Sequence, residues 1–194
     1  VIARDILKNR DKFGIYVINA PRIMLSYQLL KEVYSFLVSE GIEARYMSVH
    51  SGGTTDLEDL EKIRIDANLT VYWQLKMDQS IPFAEIQNGT SPLLIREFTE
   101  TAEKQKLPLI FFSTYNSAER INDAIYDKEI NIVVNDEAQY LVQEQFHDII
   151  HTLKTVRCYF FTATTINTPS DKGSGMNNVD SYGEIIYLMT PREA

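Results

Sequence analysis

Read from its first residue, the chain alternates short apolar runs with longer stretches in which apolar residues recur every three or four positions. Val1 to Arg10 reads as the end of an amphipathic helix, with Ile2, Ile6 and Leu7 on one side. Ile15, Val17 and Ile18 mark a β-branched strand over Gly14 to Asn19. Pro21 then opens a helix whose apolar stripe is Ile23, Tyr27, Leu30, Tyr34 and Leu37, and Gly41 ends it. Ala44 to Val49 returns as a strand, and Thr55-Asp56-Leu57-Glu58 is a capping box that begins an exposed acidic helix. Further strands are expected over Leu107 to Ser113, Ile130 to Val134, Val156 to Thr162 and Tyr182 to Met189. Further helices are expected over Ser91 to Lys106, Ser117 to Tyr126 and Gln139 to Leu153, the last with Val142, Phe146, Ile149 and Leu153 facing inward. Residues 69–89 show no firm period and read as an irregular insertion with one short strand, and the Gly-, Ser-, Asn- and Pro-rich stretch Asn167 to Asp180 reads as a mobile loop.

Strands that alternate with helices at this spacing imply a mostly parallel sheet with helices on both faces, an α/β fold of three layers, α/β/α. Open sheets of this kind bind ligands beyond the carboxyl ends of their strands. The residues that leave each strand therefore carry the chemistry. Asn135-Asp136-Glu137-Ala138-Gln139 leaves the apolar run Ile130-Asn131-Ile132-Val133-Val134, and Phe161-Thr162-Ala163-Thr164 closes the next strand. Consecutive residues leaving a strand point to different sides. One carboxylate can hold a magnesium ion while its neighbour polarises a water, the minimum equipment for attack on a nucleoside triphosphate. An Asp-Glu pair alone is an ordinary surface turn; the buried strand before it and the Thr-Ala-Thr beside it set this one apart.

Composition changes the picture in four places. At 194 residues and 44% apolar content the chain fits one domain, able to bury roughly 70% of its unfolded surface. The formal net charge of −8 argues against a strong independent nucleic-acid site, because non-specific binding depends on neutralising phosphates. The charge is uneven, with six basic and two acidic groups in residues 1–31 against five acids and two bases from Thr54 to Asp66, so the early segment is the better candidate for touching DNA. The single cysteine, Cys158, can form no internal disulfide and reads as a packed thiol of a reduced, cytoplasmic protein. No apolar stretch approaches the ~20 residues of a membrane span and no signal peptide is visible, so no membrane partner is expected.

The strand-end motifs, taken in order, resemble those of superfamily-two DEAD/DEAH-box helicases and translocases. Asp136-Glu137-Ala138-Gln139 is similar to the family's acidic box and Thr162-Ala163-Thr164 to its downstream Ser/Thr-Ala-Thr motif. Asn19-Ala20-Pro21-Arg22-Ile23-Met24-Leu25-Ser26-Tyr27-Gln28 resembles its Pro-Arg-x-x-L-x-x-Q segment, and Ser51-Gly52-Gly53 and Ser113-Thr114-Tyr115-Asn116-Ser117 resemble two further loops. Within the superfamily the pattern looks closest to the motor part of restriction-enzyme subunits. The resemblance implies a RecA-like first motor domain over residues 1–194, using ATP and Mg2+, with Asp136 orienting the metal and Glu137 the attacking water. It further implies coupling through Thr162, Ala163 and Thr164, and contacts to DNA, RNA not being excluded, from Pro21, Arg22, Gln28, Ser51, Gly52, Thr114 and Tyr115. Gln139 stands where the family more often has His or Asp; its amide can bridge to Thr162 or Thr164 but cannot take up a proton.

The family's phosphate loop, G-x-x-x-x-G-K-[ST], does not occur in the sequence. The expectation is therefore a motor domain cut just after that loop, with residues 190–194 starting the connection to a second RecA-like domain of the same parent chain and with no hydrolysis by the piece alone. The parent is expected to be an ATP-dependent DNA helicase or translocase, in a restriction-modification type of system. A degenerate motor kept as a protein-binding scaffold is the alternative. His147-Asp148-Ile149-Ile150-His151 comes close to the zinc motif H-E-x-x-H, but Asp is a shorter base and no third ligand is evident.

Overall fold

A computed structural model describes residues 1–9, 12–51, 86–148, 153–169 and 174–187. Among them one sheet is formed by β1 (Ile15–Ala20), β2 (Arg45–Val49), β3 (Gln87–Asn88), β4 (Leu109–Thr114), β5 (Ile132–Asn135) and β6 (Cys158–Phe160). Every pairing is parallel and the order across the sheet is β3-β2-β4-β1-β5-β6. After β1 the chain moves out to β2 and β3, returns with β4 between β2 and β1, and then crosses to the other side of β1 for β5 and β6. That reversal of winding is where doubly wound sheets open a crevice at their carboxyl edge.

Both faces of the sheet are covered, which is why β1 and β4 are apolar at nearly every position and buried at all of them. Alternate residues feed two separate cores. Ile15, Val17, Leu109, Phe111 and Val133 pack with Ile95 and Ala102 of α3 (Pro92–Gln105) and Ile121, Ala124 and Ile125 of α4 (Ala118–Ile125). Tyr16, Ile18, Ile110, Phe112 and Ile132 pack on the opposite face with Ile2 and Ile6 of α1 (Ile2–Lys8) and Leu30 and Leu37 of α2 (Ile23–Ser39). The result is the three-layer α/β/α arrangement expected from the alternation of elements.

Helix ends follow local chemistry. At the end of α2, Gly41 takes φ 66°, Ile42 N–H donates to the Leu37 carbonyl at 2.9 Å and Gly41 N–H to that of Val38 at 3.0 Å, while Ile42 and Leu37 share one core. This satisfies two carbonyls that would otherwise end the helix unpaired. α3 closes in the same way, with Lys106 at φ 57° where glycine is the usual choice.

Three expectations differ from what forms. The helix expected over Gln139 to Leu153 is broken: Ala138–Val142 is a 3-10 turn, Gln143 is extended at φ −70° and ψ 135°, and α5 covers only Glu144–His147, residues 149–152 lying outside the described residues. Glu137 at φ 52° and the Ala138 N–H bond to the Phe161 carbonyl set a 3-10 turn at the head of the segment, from which Ala138 and Leu141 join Tyr115, Phe146 and Tyr182 in one small core. In place of the strand expected from Tyr182, a short helix α6 (Val179–Tyr182) ends at Gly183 with φ 72°, and Ile185, Ile186 and Tyr187 follow exposed without strand pairing among the described residues. β6 is only three residues long, against the seven expected from Val156 to Thr162. Of the 69–89 stretch only residues 86–89 are described, and they include β3; the acidic helix at Thr55 and residues 190–194 lie outside the described residues. No described helix is long and apolar enough to cross a membrane.

Candidate functional site

Because all strands run the same way, their carboxyl ends lie along one edge, and the segments singled out in the sequence leave from that edge. In spatial order they are Ser51 beyond β2, Thr114 and Tyr115 at β4, Pro21 and Arg22 beyond β1, Asp136 and Glu137 beyond β5, and Thr162 beyond β6. β5 sits between β1 and β6, so the two acids emerge inside the sheet, beside the strand that leads to Thr162.

The acidic turn is held from three sides by main-chain groups. Asp136 N–H donates to the Asn19 carbonyl at 2.9 Å, Ala138 N–H to the Phe161 carbonyl at 2.8 Å, and Phe161 N–H to the Asn135 carbonyl at 2.9 Å. The Tyr115 hydroxyl donates to the Asp136 carbonyl at 2.5 Å. Between these anchors Glu137 takes the left-handed conformation, φ 52° and ψ 47°. For a residue with a side chain that conformation costs about 1–2 kcal/mol, an amount the surrounding hydrogen bonds can offset.

Side chains extend the arrangement. The Gln139 amide nitrogen donates to Glu137 Oε2 at 2.6 Å, and its oxygen accepts from the Thr162 hydroxyl at 2.6 Å. A carboxylate only accepts, so Glu137 fixes which way the amide faces. The Thr162 hydroxyl has one proton, and it lies 2.7 Å from the Thr164 carbonyl as well, so it can serve Gln139 or the main chain but not both at once. Thr164 N–H donates to Thr162 Oγ1 at 3.1 Å, closing a small loop at the end of β6. Beneath the turn, Asn19 Nδ2 donates to Asn135 Oδ1 at 2.9 Å, and Asn135 Nδ2 lies 3.2 Å from Cys158 Sγ.

The electrostatics favour a cation. Burial pushes the Asp136 carboxyl above its ordinary value, and the negative charges of Glu137 and, from α2, Glu32 push it the same way, against a lowering backbone hydrogen bond at Glu137. A cation bound at half-buried Asp136 would offset its desolvation and the negative field of Glu137 and Glu32. Among the described residues no group of three His, Cys, Asp or Glu side chains is placed to hold a metal by itself. One or two carboxylates with the remaining positions left to phosphate and water is how Mg2+ is usually bound. Cys158 is no nucleophile: burial pushes its thiol up to about 11.

The positions expected to meet nucleic acid divide into two groups. Arg22 and Ser51 are exposed, Pro21 and Gln28 are half-buried, and Gly52 lies outside the described residues. Thr114 and Tyr115 are buried, and their side chains are turned away from the surface role expected of them. Thr114 Oγ1 donates to Ser117 Oγ at 3.2 Å, and the Tyr115 ring, 1% exposed, packs with Ala138, Leu141, Phe146 and Tyr182. Tyr115 is buried because its ring fills the small core under the acidic turn, leaving Asn116 as the exposed residue of that loop. Ala163 and Thr164 are exposed beyond β6. Sequence reasoning passed over Asn19, Glu32 and the inward role of Tyr115. Two asparagines near the ends of adjacent strands, where asparagine is disfavoured, were the available signal for the Asn19–Asn135 pair.

No protein-family model matches the chain, and no curated protein does. Among solved structures, a nuclease-deletion mutant of the Type ISP restriction-modification enzyme LlaGI, in complex with a DNA substrate mimic, superposes with a TM-score of 0.64 at 21% identity over 94% of this chain. The ATP-dependent Type ISP restriction-modification enzyme LlaBIII, bound to DNA, does so with a TM-score of 0.63 at 20% identity over 99% of this chain. The chain spans 14% and 12% of the lengths of those two proteins. At this identity the likeness establishes a shared fold.

Proposed function

We propose that this chain is part of the first motor domain of a superfamily-two, ATP-dependent DNA helicase or translocase, of the kind found in restriction-modification enzymes. The observation that carries the reading is the bonded series Glu137, Gln139, Thr162 at the carboxyl edge of the sheet, with Asp136 beside it. Support comes from the order of the strand-end motifs and from the fold shared with two DNA-bound restriction-modification enzymes, one of them ATP-dependent.

In this reading Asp136 is the metal-holding carboxylate, and its desolvated, acid-flanked position fits a divalent cation. Mg2+ held by Asp136 would supply positive charge against the negative charge that develops on a phosphate in transfer. Glu137 accepts a hydrogen bond from the attacking water and orients it. Gln139 holds Glu137 in place and passes changes at that carboxylate to Thr162, at the end of the neighbouring strand. Arg22, Ser51 and the loop carrying Asn116 face a nucleic-acid backbone, where contacts set register and carry no base specificity.

The 194 residues contain no phosphate loop. Loss of even one preorganised donor costs about 10² to 10³ in rate, so the chain alone is expected to be inactive and a parent protein that supplies the loop to be active. The test is ATP hydrolysis by that parent with and without duplex DNA, as wild type and as Asp136→Ala. Mg2+-dependent hydrolysis that DNA stimulates and the substitution abolishes is expected; full activity in Asp136→Ala, or none in the wild type, would overturn the reading.

A further inference from the structure

We infer that Tyr115 is a positioning residue for the acidic turn, through which a nucleic-acid backbone held at the loop between β4 and α4 regulates hydrolysis; the inference rests on the motor reading above. A buried tyrosine hydroxyl needs some acceptor. The acceptor here is the carbonyl between the two acids, and it belongs to the peptide plane that sets the φ of Glu137. A peptide group is rigid, so turning that carbonyl over changes the ψ of Asp136 and the φ of Glu137 together. Glu137 and Lys106 are the non-glycine residues at positive φ among those described, and Lys106 sits at a helix end where that conformation is common. Glu137 has no such excuse.

With the Tyr115 hydroxyl in place, the plane is pinned and Glu137 stays left-handed, with its carboxylate against Gln139. With the hydroxyl withdrawn, the plane keeps only its bond to the flexible Asp136 side chain, Glu137 relaxes towards the negative φ that side chains prefer, and its carboxylate leaves Gln139. The N–H of the same peptide donates to the Asp136 carboxylate, a contact within the turn itself, so the Tyr115 hydroxyl is the restraint that reaches this plane from another loop; the Asp136 N–H bond to Asn19 lies on the preceding plane. Tyr115 is also the first residue of the 3-10 turn Tyr115–Ser117, and exposed Asn116 is its immediate neighbour. A polyanionic backbone bound to that turn therefore acts on Tyr115 through the main chain. The tyrosine ring, gripped by Ala138, Leu141, Phe146 and Tyr182, moves with the core beneath the acids rather than independently of it.

The experiment compares full-length parent protein as wild type and as Tyr115→Phe, which keeps the ring and removes the hydroxyl. Steady-state ATP hydrolysis is measured at saturating Mg2+ with and without duplex DNA, beside amide hydrogen exchange of the segment spanning Asp136 to Ala138. The expected result is a DNA-stimulated kcat lower by about 10-fold with a KM for ATP within about two-fold of wild type. In the wild type, exchange at the acidic turn is expected to change on adding DNA, and in Tyr115→Phe that response is lost. A stimulated kcat equal to wild type overturns the inference and leaves the motor reading intact. So does wild-type exchange at the turn that ignores DNA, a result that does not depend on the variant folding. If the wild type hydrolyses no ATP, the motor reading itself fails and this inference falls with it.

Discussion

The side-chain oxygen of Gln139 accepts a 2.6 Å hydrogen bond from the Thr162 hydroxyl while its nitrogen donates a 2.6 Å bond to Glu137, so one amide joins the turn after β5 to the end of β6. If this link transmits the state of the nucleotide site, Gln139→Ala and Thr162→Val should each lower DNA-stimulated turnover of the parent protein by about 10-fold, through loss of orientation at Glu137. The double variant should be little worse than either single one, because both remove the same connection. Independent, multiplying losses in the double-mutant cycle would show that the two residues act separately.

The two acids should fail in different ways. Glu137→Gln keeps the shape and the bond to Gln139 within reach but removes the carboxylate that the proposed function gives to the attacking water, so kcat should fall by about 10² to 10³ with little change in KM for ATP. Asp136→Ala removes the carboxylate assigned to the metal, so the Mg2+ concentration for half-maximal rate should rise along with the loss of kcat. A Mg2+ titration of both variants separates the roles. Identical Mg2+ dependence in the two would argue against dividing them between metal and water.

Much of this architecture is legible in the chain because a doubly covered parallel sheet writes itself plainly. Ile15 to Ala20 and Leu109 to Thr114 are buried throughout, their apolar runs bounded by turn residues, and the stripe Tyr27, Leu30, Leu37 of α2 keeps its period. The site is legible as far as it depends on strand ends, since parallel strands carry every such end to one edge. It stops being legible where tertiary contacts override local period. Ala138, Leu141, Val142 and Phe146 all fit one helical face, yet the Ala138 N–H is bonded to the Phe161 carbonyl beyond β6, the segment starts as a 3-10 turn and the chain is extended at Gln143. Ile185 and Ile186 have the β-branched character of a strand, but propensity alone makes none: they are exposed and pair with no strand among the described residues. Tyr115 reads from sequence as a loop tip because a strand has just ended; only the packing reveals that its ring points back inside.

Asp136 should cost the fold stability when ionised. Its carboxyl lies above its ordinary value in the folded chain, with burial the leading cause. Over the pH range between the unfolded and folded values, the native state therefore binds more protons than the unfolded one, and stability falls as pH rises through that range. Asp136→Asn removes the ionisation and should raise the melting temperature of the chain at neutral pH. The gain should vanish as the pH falls below the ordinary carboxylate range, near ~4, where both forms are neutral. Thermal melts of the two proteins from acid to neutral pH test this; a variant less stable at neutral pH would show that the carboxylate is sustained by contacts stronger than its burial penalty.

At the opposite edge of the sheet, Asp5 of α1 accepts from the Tyr16 hydroxyl at 3.1 Å through Oδ2 and from Arg157 Nη2 at 2.7 Å through Oδ1. One carboxylate thereby ties the first helix to β1 and to the residue before β6. Tyr16 is 2% exposed, so removing its acceptor leaves a buried hydroxyl without a partner, a loss of about 1–3 kcal/mol. The Arg157 end is partly exposed and adds less, since solvent screens such pairs. Asp5→Ala should therefore destabilise by about 1–3 kcal/mol in denaturant melts, Arg157→Ala by less, and Asp5→Ala combined with Tyr16→Phe by less than Asp5→Ala alone, because the phenylalanine has no hydroxyl to strand. Equal losses from Asp5→Ala and Arg157→Ala would mean that the ion pair, and not the buried hydroxyl, fastens α1 to the sheet.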